Sequence, residues 1–585
     1  MRIHPVRASA TTAMVAAAPP GEAGAGQRSA GPRRPESPGR LDRGPEGLVG
    51  LVAGNLPALG GRIDRWQDRR VASRRVVRGG LVADGVTAQV RPADVLIEDG
   101  TIVAVGPDAG ERADAVVLDL VAGSVVCPGF IDAHVHAEGS LVADGMVGGA
   151  LAQGVTTLVV GQDGSSWIGA APDAARYVGR YFTPVNGPAP AAARYGVGDF
   201  AGMVAGRLAQ NVAVLASHGT IRYRFAGTAD RPLEPAELTA ARADVERALA
   251  DGGAGLSSGL EYVPSRFATA GEIAALAAPL AETGQPYVSH LRGYGPKVRA
   301  GLAELIEVGT RAGVRVHASH LWATPADLDG GVEEADSRGV DLSFDMYPYR
   351  RSSTILAMLL LPAELQAGGT DATLRALADP AVRARLLADE AFSEQSLGRL
   401  VLGAVPDDWS RCAGLTIPAA ADADGQPAGP WTLDLLRDAE LQVGAHLDRP
   451  SLTDSDLRAI NTHPRHSAGS DGIYQGQHPH PRGYGTFARL AGYYADAAGR
   501  TDYPELVRHL STNPAAAFRL HRRGRIAAGM AADLCVVGPD GLADHATYDH
   551  PLRPATGVEH VLVNGEPVWA HGAPTTARPG RIVSR

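Results

Sequence analysis

A chain of 585 residues, 45% of them hydrophobic, is long enough for about two to four domains and a large buried core. Its net charge of -9 and pI of about 6.1 argue against the broad basic surface that nucleic-acid binding needs. No apolar run approaches the roughly 18–20 residues of a membrane span, and three widely separated cysteines, Cys127, Cys412 and Cys535, point to a reducing, cytoplasmic setting without a disulfide frame.

Residues 1–75 are rich in Ala, Gly, Pro and Arg and read as a disordered extension. Within them "TTAMVAAAPPG", behind Arg2 and Arg7, is short and made of small residues, a poor fit to a secretory signal. The basic run Arg65–Arg78 reads as a solvated linker. From 76 to 127 short Val-rich runs are divided by turns, with "EDG" in "ADVLIEDGTIVAVGP" marking a hairpin. Residues 516–585 repeat this texture, with "NG" in "GVEHVLVNGEPVWAHG" as the second hairpin signal. The two ends are expected to form one β-sandwich domain.

Between them, over 128–515, strands alternate with helices. Eight strand candidates follow in order: "VVCPGFIDAHVH", "GVTTLVVGQDG", "NVAVLASHG", "GAGLSSGL", "PYVSHL", "VRVHASHL", "VDLSFDMYPY" and "RHSAGSD". Helical stretches such as "TAGEIAALAAPLAETG", with apolar residues at helical spacing and a Gly stop, separate several of them. Eight such units predict a (β/α)8 barrel of the α/β class. The interval between the seventh and eighth strands is too long for one helix, so residues 355–450 are expected as an insertion near the barrel mouth.

The polar residues sit at the strand ends. Strand one ends in His134 and His136, strand two near Asp163, strand three in His218, strand five in His290, strand six in His320 and strand eight in Asp471. In such a barrel these ends converge on one mouth. Alternate residues of a strand face the same way, so His134 and His136 can reach one ion together. Imidazoles and carboxylates are zinc ligands, and a shell left incomplete keeps room for water. His218 is read as a structural, hydrogen-bonded histidine. His317 precedes His320 by three and points the other way. The histidines of "HPHPR", 478–482, follow strand eight as a loop. The chain's single lysine, Lys297, lies beyond strand five and reads as an ordinary loop residue.

"PGFIDAHVH" and "AGSDG" resemble the first-strand motif and eighth-strand aspartate of the amidohydrolase superfamily. Over residues 76–585, "QGVTTLVVGQDG", "GAGLSSGLEYVPSRFA", "YVSHLR", "FDMYPYRRSST", "HPRGYGTFARLAGYY", "STNPAAAFRL" and "RGRIAAGMAADLCVV" are similar to the D-aminoacylase (N-acyl-D-amino-acid deacylase) family. The resemblance implies that His134, His136 and Asp471 form a first metal position and His290 and His320 a second. It also makes Asp471 the catalytic acid/base, and Tyr347, Ser353 and Arg482 the groups that hold the substrate carboxylate. The implied cofactor is zinc, as one or two ions, with manganese or cobalt as possible substitutes.

The chain departs from the family at Asp163, where the family carries a ligating cysteine. A carboxylated lysine, the bridge of many amidohydrolases, has no strand-four candidate here. Asp163 is therefore read as the anionic ligand, with an Asx-turn as its competing role and Glu261 as the reserve bridge. A carboxylate hardens the site relative to a thiolate and relaxes zinc preference. The implied reaction is hydrolysis of N-acyl-D-amino acids, small molecules with a free carboxylate. A cyclic-amide hydrolase or dipeptidase on the same barrel, or a non-catalytic binding module, are the alternatives. Oligomeric state is left open.

Overall fold

The computed structural model describes residues 74–111, 114–190, 196–496 and 498–583. The extension expected over 1–75 lies outside them, save Arg74 and Arg75, which open a strand, Arg74–Arg78.

Eight parallel strand positions run in chain order: β1 (Phe130–Asp132), β2 (Val155–Val160), β3 (Asn211–Val214, resumed at Ala216–Ser217), β4 (Leu256–Gly259), β5 (Tyr287–His290), β6 (Val316–Ala318), β7 (Leu342–Met346) and β8 (His466–Ala468). Each quoted stretch of sequence holds one of them. Successive strands pair in parallel register, such as Leu158↔Val212 and Tyr287↔Val316. The amide of Ala133 donates to Ala468 O at 3.0 Å. Beyond it Gly472 pairs in parallel with Val135, so the eighth position meets the first. This is a TIM-barrel-type fold. Val155–Val160 is buried at every residue, as expected of a parallel strand covered on both faces.

Outer helices follow from amphipathic spacing. Val298–Ala312 buries Leu302, Leu305, Ile306 and Val308 and stops at Gly313, whose φ of 67° suits glycine. Pro325–Ser337 starts from Thr324, whose hydroxyl accepts the Asp327 amide.

Both ends of the described chain meet in one seven-stranded sheet. Val125–Pro128 pairs antiparallel with Leu534–Val537, which brings Cys127 opposite Cys535; both thiols are buried and free. The Asn564–Gly565 pair, both at positive φ, turns the hairpin Val558–Val563 to Glu566–Ala570. Strands within 74–119 form a separate four-stranded sheet. Between β7 and β8, Arg351–Ile355, Leu400–Ala404 and Gly444–Asp448 make a three-stranded antiparallel sheet. Its helices enclose their own apolar cluster, including Leu402, Trp431 and Leu435. Among the described residues no helix is long and apolar enough to cross a membrane.

Candidate metal centre

The ends of β1, β2, β5, β6 and β8 bring His134, His136, Asp163, His290, His320 and Asp471 together. The Asp163 carboxylate lies among the four imidazoles. Its Oδ1 is 3.6 Å from both His134 Nε2 and His320 Nε2. Its Oδ2 is 3.6 Å from His136 Nε2 and 3.8 Å from His290 Nδ1. Asp471 Oδ1 stands 3.4 Å from His136 Nε2 and 3.7 Å from His134 Nε2. Two sets, His134–His136–Asp471 and His134–Asp163–His320, each have ligand atoms within 4.8 Å of one another.

These groups fit a bound cation. His134 Nε2 and Asp163 Oδ1 are buried without a hydrogen-bond partner, a costly state that a metal relieves. Asp163, His320 and Asp471 have φ of 56°, 31° and 48°, a left-handed conformation uncommon for non-glycine residues and concentrated at functional sites. The Ser165 amide, which an Asx-turn at Asp163 would engage, donates instead to Gln162 O at 3.2 Å.

Neighbouring groups aim the imidazoles. His136 Nδ1 donates to Asn186 Oδ1 at 2.8 Å, which leaves Nε2 facing the two aspartates. Asp345, on β7, accepts from the His320 amide at 2.8 Å. Its Oδ2 lies 3.1 Å from His317 Nε2 and 3.4 Å from His134 Nδ1. His290 Nε2 bonds Glu261 at 3.0 Å; Glu261 thus sits on the outer nitrogen of His290, while Asp163 faces the inner one.

Charge states follow from this packing. Burial lowers the basicity of His136, but the Asp163 and Asp471 carboxylates outweigh it and raise His136 to about 10. Burial likewise opposes protonation of His290, yet Asp163 and Glu261 raise it to about 9. Burial favours the neutral form of Asp163, but His136, His290 and His320 hold it well below the usual carboxylate range.

The residues read as structural lie outside the cluster. His218 bonds Ser265 Oγ at 3.2 Å and faces Glu272 at 3.6 Å, outside the cluster. His478 and His480 bond the carbonyls of Tyr548 and Arg351. Lys297 is exposed at the start of helix Val298–Ala312. Tyr347 and Ser353 line the same cavity as His136, Asp163, His290, His320 and Asp471. Arg482 opens helix Arg482–Tyr493 and is wholly buried behind that wall. Its Nη1 is 2.8 Å from Asp471 Oδ2, although its N–H bonds point off the oxygen line. Its Nη2 donates to Ser353 O at 3.1 Å, and its Cζ lies 4.7 Å from the centroid of the Tyr347 ring. Asp345, Asn186 and Arg449, which also lines the cavity, are not among the sequence-derived site residues. Only Asp345 carried a signal, a carboxylate inside a buried strand between Phe344 and Met346.

Residues 117–569 match the model of the amidohydrolase family. The chain belongs to that family. N-acyl-D-glutamate deacylase of Alcaligenes xylosoxydans xylosoxydans is 32% identical over 87% of this chain and 96% of its own length. D-aminoacylase of the same organism is 32% identical over 87% and 97%. A crystal structure of D-aminoacylase superposes with a TM-score of 0.71 at 29% identity, covering 87% of this chain and 99% of that one. N-acyl-D-glutamate deacylase of Bordetella bronchiseptica, complexed with zinc and a phosphonate mimic of the tetrahedral intermediate, gives 0.72 at 27%, with coverage of 87% and 99%. A binuclear metal centre is described for D-aminoacylase. The amidohydrolase is thus a metal-dependent hydrolase. Likeness to D-hydantoinase, at 15% identity and a TM-score of 0.52, shows the fold alone.

Proposed function

We propose that this amidohydrolase cleaves the amide bond of N-acyl-D-amino acids, releasing a carboxylate and a free D-amino acid. The observation that carries it is the set of four histidines and two aspartates converging behind a cavity walled by hydroxyls, in a chain whose full-length relatives are deacylases of this class.

His134, His136, Asp163, His290, His320 and Asp471 would hold one or two divalent ions, zinc first. Such an ion supplies Lewis acidity for the acyl carbonyl and makes a water acidic near neutral pH. Asp471 moves the proton. Burial alone would favour its neutral form, but Arg482 and His136 hold it below the ordinary carboxylate range, so it is an ionised acceptor. It takes a proton from the attacking water and returns it to the departing amine nitrogen as the C–N bond breaks. Tyr347, Ser353 and Arg482 hold the substrate's α-carboxylate: Tyr347 and Ser353 from the cavity wall, Arg482 from behind it, where its Nε has no acceptor.

The architecture that fits this role is a (β/α)8 barrel over 128–515 with an insertion at 355–450. A β-sandwich from 76–127 and 516–585 completes it, supported by the strands of both ends sharing a sheet. The partner is a small molecule, with no nucleic acid or membrane. The three buried free thiols suit a reducing, cytoplasmic setting. The test is a screen of zinc-loaded protein against paired N-acetyl-D- and N-acetyl-L-amino acids, with metal measured on the same sample. Turnover confined to the D series supports the reading; equal inactivity on both series by fully loaded protein removes it.

A further inference from the structure

Two guanidinium groups stand beside this cavity, and the α-carboxylate of a substrate employs one of them. The second, Arg449, follows directly on the strand Gly444–Asp448 and lines the cavity with Trp322, Ser352 and Met358. It is half-buried. Its Nε donates to Ser352 Oγ at 2.8 Å, and its amide donates to Arg350 O at 3.1 Å. Its Cζ lies 5.8 Å from the Trp322 ring, and that ring is pinned in turn by Nε1 donating to Ser451 Oγ at 3.1 Å.

Arg449 is therefore positioned, yet its two terminal nitrogens remain to be used. Among the described residues no carboxylate forms an ion pair with it, whereas Arg482 is set against Asp471. Consecutive residues of one strand anchor the two arginines: Ser352 through its hydroxyl holds Arg449, and Ser353 through its carbonyl holds Arg482. A fixed guanidinium fork with free N–H groups on a cavity wall matches a second carboxylate.

We propose that Arg449 binds the side-chain carboxylate of the substrate, so that this site prefers N-acyl-D-amino acids with acidic side chains. The inference rests on the deacylase reading above and adds its substrate class.

Zinc-loaded wild type, Arg449→Met and Arg449→Lys are assayed on N-acetyl-D-glutamate, N-acetyl-D-aspartate and N-acetyl-D-methionine. Wild type is expected to favour at least one acidic substrate over the methionine derivative by about tenfold or more. Arg449→Met is expected to lose on the order of 30- to 100-fold in kcat/KM on that acidic substrate. On N-acetyl-D-methionine it should change by less than about threefold, which also reports that the variant is folded. Arg449→Lys should recover part of the loss, since it keeps the charge without the fork. Equal losses on acidic and neutral substrates would overturn the inference, and so would a wild type that turns over all three without favouring an acidic one; in both cases the deacylase reading stands. Inactivity of wild type on every N-acyl-D-amino acid would remove that reading and this inference together.

Discussion

Asp471 sits between a guanidinium and two imidazoles, and its chemistry depends on that balance. Asp471→Asn keeps the shape and loses the proton acceptor. Its kcat is expected to fall on the order of 100- to 10,000-fold, with most of the bound zinc retained; near-normal turnover would discard the mechanism. Asp345 makes the opposite case, a residue that acts through others. It touches His134, His317 and the His320 amide. Asp345→Asn is expected to weaken metal affinity by about 10- to 100-fold, read by competition against a chelator. Asp163→Cys exchanges a hard ligand for a soft one and should retain metal while shifting preference from manganese and cobalt toward zinc. Asp163→Ala should lose metal and activity together. Metal content after loading with equimolar mixtures distinguishes these outcomes.

At the scale of elements, the site depends on strand ends that touch without room to spare. A Cβ on Gly259, at the end of β4, would lie 2.2 Å from the carbonyl oxygen of Asp163. The turn after β2 therefore rests directly on β4. Gly259→Ala should displace Asp163, costing about 1–3 kcal/mol of stability and lowering metal occupancy. Thermal unfolding and metal analysis on one preparation check both effects. That contact was not legible in "GAGLSSGL", because it joins a strand end to the turn after β2, far apart in the sequence. The strands were legible as short, largely apolar runs, several of them followed within a few residues by an ionisable one. His134, His136, His290, His320 and Asp471 stood out for that reason: ionisable groups at the ends of apolar strands need a partner. Asn186 gave no such signal. It lies in the four-residue helix Thr183–Asn186 and meets His136 only through the fold. The 478–482 histidines show the converse, a dense histidine tract bonded to backbone carbonyls.

For the whole molecule, metal loading and protonation are one equilibrium. Without an ion, His136 at about 10 and His290 at about 9 hold their protons at neutral pH. A cation must displace them, so zinc uptake should release protons, and apparent affinity should fall as pH is lowered. Titration calorimetry of metal-free protein in buffers of different ionisation enthalpy measures the release. An enthalpy independent of buffer would mean that the imidazoles are already neutral. Zinc should also raise Tm in a concentration-dependent way, because it binds the folded chain. The exposed side chain of Lys297 offers a different kind of access. It is the one ε-amine of the chain, and it stands three residues past Tyr294, whose ring forms part of the cavity wall. An amine-directed, environment-sensitive fluorophore thus has one lysine to attach to, beside the mouth. Its emission should follow ligand entry in real time, without a cysteine having to be engineered into the protein.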